Sequence, residues 1–411
     1  MLRQTVHRTA RQVLVLSSLV LFACSEAPLA PPLGPDLAVA DFTAPPIALD
    51  WQLQARTLVA ANNLSPLAAG RLYAALSVAQ YGALDDADKQ SAADGGLADN
   101  GIGAGGRARF EAERGAVASA SQTVLAFFFP AAAPALQQRL QDEATARGAT
   151  HPQFLLGVDI GIALGNTIIA RLRTDHFTDP WTGTVPAGPG LWVNNGPPAG
   201  PLFGTVTPYF MTSGSQFRPA PSPAFGSPAF LVDLGEIQVL SATRTPAQLA
   251  TAQFWNFPGG TFTPLGYWNQ LAGTYISQYG LNEREATHVF ALMHAAMMDA
   301  LIGCWDAKYF YWLIRPYQAD ASITTPIGQP NHPSYPSGHS CISSAATQVL
   351  AHFFPSQTSD LADQLAQAGL SRMYGGIHFR FDITAAVQIG IAVAQLALSI
   401  DQSQGLLSVI H

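Results

Sequence analysis

The sequence predicts an all-α protein. Apolar residues recur at helical spacing from residue 49 almost to the C-terminus, and no run alternates with strand period for long enough to build a core sheet. The one long interruption, 177–228, holds eleven prolines and eight glycines in 52 residues, too dense for regular helix. Of the 411 residues, 48% are hydrophobic and 11% charged, which excludes a disordered chain and a solvated coiled coil. The formal charge is −7, and removing a leader with three arginines and no acid takes it to −10. A net-acidic chain without a basic tract repels a phosphate backbone, so nucleic acid is not an expected partner.

Residues 1–23 read as a signal peptide, because a basic n-region (Arg3, Arg8, Arg11) precedes an apolar run, Val13 to Ala23, too short to span a bilayer. The run ends Leu21-Phe22-Ala23-Cys24, which resembles a bacterial lipobox with Cys24 as the lipidated mature N-terminus. Phe22 is bulkier than the residue usual there, so plain cleavage stays open. Either route predicts export, to the periplasm, to an outer-membrane-anchored lipoprotein or to the medium. Residues 24–48 read as a Pro- and Ala-rich linker and 49–411 as a single helical catalytic domain. No other stretch reaches the ~18 consecutive apolar residues of a membrane span.

Within that domain, helical pattern starts near Leu49 and is split by Pro66. The Asp-, Ala- and Gly-rich stretch 85–106 reads as a mobile loop, followed by helices at 108–128, 132–148 and 153–173. The segment 177–228 is expected to be a belt over the helical core, pinned by Trp181, Trp192, Phe203, Tyr209, Phe210 and Phe217. From Thr245 onward helices are expected at 246–256, 264–279, 283–311, 338–353, 358–369 and 382–400.

Three segments between 300 and 400 concentrate anion-binding and proton-transfer residues: "KYFYWLIRP" (Lys308 to Pro316), "PSYPSGHS" (Pro333 to Ser340) and "SRMYGGIHFRFD" (Ser371 to Asp382). Lys308 and Arg315 are seven residues apart, about two helical turns, which places both on one helix face before Pro316 ends the helix. Cations on so apolar a helix call for a buried anionic partner. Ser337, Gly338 and His339 open a helix after Pro336, where free N–H groups favour an anion; a plain N-cap is the lesser reading of Ser337. Arg372 adds a cation with bidentate geometry. His378, four residues before Asp382, has the spacing for a carboxylate to orient one ring nitrogen and leave the other free; Asp382 is also read as the N-cap of the last helix.

The pattern Lys-x6-Arg-Pro, Pro-Ser-Gly-His, Ser-Arg-x5-His-x3-Asp, with spacers of 19 and 31 residues, resembles the signature of the type 2 phosphatidic acid phosphatase/vanadium haloperoxidase superfamily. The resemblance implies a helical bundle binding phosphate, or vanadate as cofactor. In it Lys308, Arg315, Ser337, Gly338 and Arg372 hold the equatorial oxygens, His378 is the vanadium ligand or axial nucleophile, and His339 is the acid–base group. The flanking "WDAKYFYWLIRP" and "HFRFD" resemble the haloperoxidase branch, whereas many lipid phosphatases of the superfamily span the membrane several times. Trp305 matches a halide-side Trp of fungal chloroperoxidases. His332 stands where those enzymes carry Phe and bromoperoxidases carry His, which implies bromide or iodide. The expected partners are then hydrogen peroxide, a halide and a small organic acceptor. The alternative is a secreted acid phosphatase that forms a phosphohistidine on His378 while His339 protonates the leaving alcohol.

Of the remaining residues, His288, His294, Met293, Met297 and Met298 read as core. Asp299 is expected, by the resemblance, to pair with a site arginine. Cys304 and Cys341 are either a disulfide or two buried thiols, which spacing does not decide. No Walker loop, dinucleotide fingerprint, HExxH or nucleophile elbow is present.

Overall fold

In the computed structural model, residues 45–93, 104–146 and 150–409 are described, and among them there are thirteen α-helices and no strand. The expected signal peptide, the lipobox cysteine Cys24 and most of the linker lie outside the described residues.

The N-terminal half is built from α1 (Ile47–Ala61), α2 (Pro66–Ala93), α3 (Ala104–Phe128), α4 (Ala133–Thr145) and α5 (Pro152–Arg173). The Pro66 break is where the sequence places it. The expected loop at 85–106 is in large part helix: α2 runs through to Ala93 and α3 begins at Ala104. The Asp residues that suggest a loop instead make ion pairs there, Asp85 with Lys89 along α2 and Asp88 with Arg109 between α2 and α3. Helices α3 and α5 touch backbone to backbone. A Cβ at Gly157 would lie 2.0 Å from the carbonyl oxygen of Ala112, and one at Gly115 2.1 Å from that of Phe154, so any side chain would force the helices apart.

The C-terminal half comprises α6 (Pro228–Thr243), α7 (Pro246–Phe254), α8 (Thr263–Tyr279), α9 (Glu283–Tyr311), the one-turn α10 (Pro316–Ala319), α11 (Gly338–Phe353), α12 (Thr358–Tyr374) and α13 (Arg380–Gln404). Helix α9 is the axis. Asn282 and Glu285 close a reciprocal capping box at its start, and α2, α8, α11 and α13 pack around it. By length and composition α5, α9 and α13 are apolar enough to cross a membrane; 94% of the most apolar window of α9 is buried inside the protein, against 39% for α5 and α13.

Helix α6 is absent from the sequence reading. It buries Phe230 and Ile237 but exposes Leu231, Val232 and Val239, so no clean apolar stripe marks it. The segment before it is the expected belt, with only one 3-10 turn, Phe203–Thr205. Trp192, Phe203, Tyr209 and Phe210 are buried, while Trp181 and Phe217 are half-buried. Asp299, in the middle of α9, holds the belt by accepting backbone N–H bonds from Tyr209 (2.7 Å), Phe210 (2.7 Å) and Met211 (2.9 Å). That overturns the expected pairing of Asp299 with a site arginine: among the described residues it has no ion pair, and its carboxylate is a staple for unpaired amides.

Candidate functional site

Lys308 lies on the last turn of α9, whose end departs from the two-turn expectation. Trp312 adopts a left-handed conformation (φ 52°), and its N–H closes the helix on the carbonyl of Lys308 at 2.9 Å. Leu313 then pairs with Leu191 of the belt in an isolated antiparallel bridge, and Arg315 stands at the N-cap of α10. Lys308 and Arg315 therefore do not share a helix face, and Pro316 opens a helix rather than ending one. The two side chains converge through space on the loop before α11. The Lys308 ammonium donates to the carbonyls of Pro333 (3.0 Å), Ser334 (2.8 Å) and Pro336. Arg315 donates to the carbonyl of His332 (3.0 Å) and to that of Ile377 (2.7 Å).

Helix α11 starts where the sequence predicts. Ser337 occupies the N-cap position, yet its hydroxyl makes no capping bond and accepts from Ser340 Oγ at 3.2 Å, so the plain N-cap reading does not hold. A Cβ at Gly338 would lie 3.1 Å from the Trp305 ring, a tight contact that the ring would have to relieve by moving a few tenths of an ångström. His339 Nε2 lies 2.8 Å from the carbonyl oxygen of Trp255, just past α7. Since a carbonyl only accepts, Nε2 carries the proton and Nδ1 is left with a lone pair. Arg372, near the end of α12, donates from Nε to Ser371 Oγ (2.8 Å) and from Nη2 to the carbonyl of Ala252 (2.9 Å).

The imidazole of His378 is fixed at both ends. Nδ1 is 2.8 Å from Asp382 Oδ2, and Nε2 is 3.1 Å from Arg315 Nη1. Guanidinium N–H groups only donate, so Nε2 is the acceptor, its lone pair faces Arg315, and Nδ1–H points at the carboxylate. Asp382 sits at the third position of α13 rather than at its N-cap, because the helix begins two residues earlier than expected, at Arg380; Oδ2 also accepts from the N–H of Phe379 at 3.1 Å.

The electrostatics follow from burial. Lys308 and Arg315 are 0% exposed, Arg372 1% and His378 3%. Among the described residues no carboxylate lies within ion-pair distance of any of the three cations; the nearby buried acid, Asp382, is engaged with His378. Burial accordingly pulls Lys308 down to about 8, Arg372 to about 9 and Arg315 to about 10, all still cationic at neutral pH. Burial, then the neighbouring cations, pushes His378 and His339 well below the usual histidine range and keeps them neutral. Burial raises Asp382 to about 6.

The expected halide-side pair is also assembled. The Trp305 ring lies 4.9 Å from that of His332 between centroids, and His332 Nδ1 is 3.1 Å from Arg315 Nη2. Trp305 donates its indole N–H to Ala199 O of the belt. Cys304 and Cys341 are buried free thiols, with Cys304 Sγ 3.6 Å from the carbonyl oxygen of Pro336. All ten site residues predicted from the sequence within the described residues thus lie around one buried locus. The sequence reading missed Ser334, whose hydroxyl donates to Asp382 Oδ2 at 2.6 Å, and the carbonyls of Ala252 and Trp255. Ser334 lies inside a quoted motif, but no spacing marks it; backbone carbonyls carry no sequence signal.

Such a donor set suits an oxyanion. Three buried cations, the N–H groups that open α11 and one imidazole lone pair complement a tetrahedral or trigonal-bipyramidal anion such as phosphate or vanadate. They repel a bare metal cation, for which no cluster of three His, Cys, Asp or Glu exists among the described residues.

Comparison with known proteins agrees with that geometry. Residues 287–405 match the PAP2 superfamily. A vanadium chloroperoxidase of Curvularia inaequalis is 27% identical over 197 residues, 38% of this chain and 32% of that protein, so the chain spans about a third of the length of this curated relative. Among solved structures, one described as the first bacterial vanadium-dependent iodoperoxidase superposes with a TM-score of 0.70 at 23% identity, covering 86% of this chain and 96% of that one. A bacterial vanadium-dependent chloroperoxidase in its holo form gives 0.63 at 16% identity, covering 92% and 95%. At those identities the likeness is one of fold.

Proposed function

We propose that this chain, whose residues 287–405 form a PAP2-superfamily region on the fold of the vanadium haloperoxidases, is a vanadium-dependent haloperoxidase that oxidises bromide or iodide with hydrogen peroxide to hypohalous acid. The observation that carries the proposal is the trio of buried, carboxylate-free cations, one of which, Arg315, donates to the His378 Nε2 lone pair. The near-complete burial of that locus favours small reactants such as peroxide and halide over bulky esters.

In this reading Lys308, Arg315 and Arg372, with Ser337 and the Gly338 N–H, would hold the oxygens of vanadate, and His378 Nε2 would be its protein ligand. Bound vanadate supplies a Lewis-acid centre that polarises hydrogen peroxide for oxygen transfer to the halide. Asp382 keeps the proton of His378 on Nδ1, so that Nε2 stays a donor of its lone pair. His339, neutral with Nδ1 free, would be the acid–base group, taking up a proton at Nδ1 and giving it back. Trp305 and His332 line the halide side. His332 in place of a larger apolar ring, together with the iodoperoxidase likeness, supports bromide or iodide. A small organic acceptor takes the hypohalous product.

The second reading, a secreted phosphomonoesterase, rests on the same cations and on His378 as nucleophile, and is favoured by the PAP2 match. Both readings need His378. Replacing it by Ala abolishes halide oxidation in the vanadate-reconstituted protein, while a variant that keeps full turnover refutes the site assignment for both readings. For the leader, we propose export with lipid attachment at Cys24; a mature N-terminus carrying no lipid mass would replace it by plain cleavage.

A further inference from the structure

Ser334 has no part in the site as the sequence presents it, yet it stands where the cationic arm and the imidazole arm meet. It is 0% exposed. Its N–H donates to the carbonyl of Leu313 at 2.9 Å, and its own carbonyl accepts the Lys308 ammonium at 2.8 Å, so its backbone is pinned on both sides. Its hydroxyl donates to Asp382 Oδ2 at 2.6 Å.

The distribution of bonds on Asp382 is lopsided. Oδ2 accepts from Ser334 Oγ, His378 Nδ1 and Phe379 N, whereas Oδ1 is buried with no partner. Two equivalent oxygens sharing donors would divide them, because a buried carboxylate oxygen without a hydrogen bond is costly. Concentrating all three on one oxygen sets the carboxylate's rotation, and with it the direction in which His378 is held. Two of the three donors, His378 and Phe379, come from the chain that leads into Asp382 itself. Only Ser334 fixes the carboxylate from a different element, the loop that also anchors Lys308.

We propose that Ser334 is a positioning residue for His378, acting through Asp382, and that its hydroxyl raises the affinity of the site for oxyanions by keeping the Nε2 lone pair on the side of Arg315. The inference rests on the oxyanion reading of the site. Ser334→Ala deletes the hydroxyl alone and keeps both backbone bonds, so the cationic arm stays in place.

The test is calorimetric titration of the metal-free mature protein with inorganic phosphate and then with orthovanadate. Wild type, Ser334→Ala, Asp382→Asn and the double variant are compared. Loss of a hydrogen bond that orients an imidazole ligand typically costs roughly 10- to 100-fold in affinity, and that is the loss expected for Ser334→Ala. In the Asp382→Asn background the same substitution should change affinity by no more than about twofold, since a residue that acts through another has nothing left to act on. A Ser334→Ala protein within about threefold of wild type overturns the proposal. So does an equal loss in both backgrounds, the outcome expected of a merely structural hydroxyl. Should the alanine variant fail to fold, Ser334→Cys, a weaker donor of similar size, carries the same comparison. Wild-type protein that binds neither anion refutes the oxyanion reading instead, and so is distinguishable from failure of the Ser334 assignment.

Discussion

Replacing Arg372 by Met should stabilise the anion-free protein and at the same time abolish its response to oxyanions. The guanidinium is 1% exposed, and burial alone lowers its pKa to about 9, a desolvation cost of about 5 kcal/mol. Against that stand its bonds to Ala252 O and Ser371 Oγ, each worth about 1.5 kcal/mol for a charged donor. The balance, about 2 kcal/mol, favours a methionine of similar volume. With an unfolding entropy of about 2.1 cal/mol/K per residue, roughly 360 ordered residues give about 0.8 kcal/mol/K, so the gain is a rise of about 2–3 °C in Tm. Wild-type protein should show the opposite dependence on ligand: at phosphate or vanadate concentrations 100 times Kd it gains about 2.7 kcal/mol, or about 3–4 °C. Scanning calorimetry of both proteins with and without anion checks the two signs together. Arg372→Met that melts below anion-free wild type, or that keeps the anion-induced shift, would refute the claim that this cation is buried for a ligand rather than for the fold.

Three further outcomes follow from the same reasoning. Asp299→Ala leaves the amides of Tyr209, Phe210 and Met211 without an acceptor and should cost about 3–5 kcal/mol in urea unfolding, with loss of hydrogen-exchange protection at those three amides; unchanged protection would show that the belt is held by its aromatics alone. Glu283, which accepts the N–H groups of Ile47 and Ala48, is raised by burial from 4.5 to about 7, so its contribution to stability is complete below about pH 4.5 and is lost as pH rises through about 7. Glu283→Gln should therefore gain about 2–3 kcal/mol relative to wild type between pH 5 and pH 8, and a pH-independent difference would contradict that assignment. His332→Phe keeps a ring against Trp305 but removes the nitrogen 3.1 Å from Arg315, and should shift the ratio of kcat/KM for iodide over chloride at least tenfold toward chloride; an unchanged ratio would remove His332 from the halide side.

The site was more legible in the sequence than the fold around it. Lys308, Arg315, Ser337, Gly338, His339, Arg372, His378 and Asp382 are named by motif because fixed spacing within short segments encodes them. How they meet is not encoded locally. Arg315 leaves the helix of Lys308 because Trp312 turns left-handed and Leu313 pairs with Leu191, more than a hundred residues away, and no periodicity near residue 312 reports a partner in the belt. Long helices such as α9 and α11 were predicted to the residue at both ends, α9 where a capping box opens a strongly apolar run and α11 where Pro336 precedes one. Helix α6 was missed because its apolar residues point in all directions, and the C-terminal third of α2 because ion pairs within it and to α3 override a composition that reads as loop. Asp299 was assigned to the wrong partner, since a carboxylate on a buried helix face gives no hint whether its donors are guanidinium or backbone.

The central claim is that one buried oxyanion site, loaded with vanadate, oxidises halide. Its most direct test divides the purified mature protein into vanadate-loaded and metal-free samples and assays each for peroxide-dependent bromination and for hydrolysis of a small phosphate monoester. Bromination that requires vanadate and is suppressed by added phosphate is the predicted result. Ester hydrolysis by the metal-free protein, blocked by vanadate and without any halogenation, would contradict it and assign the same residues to a phosphatase.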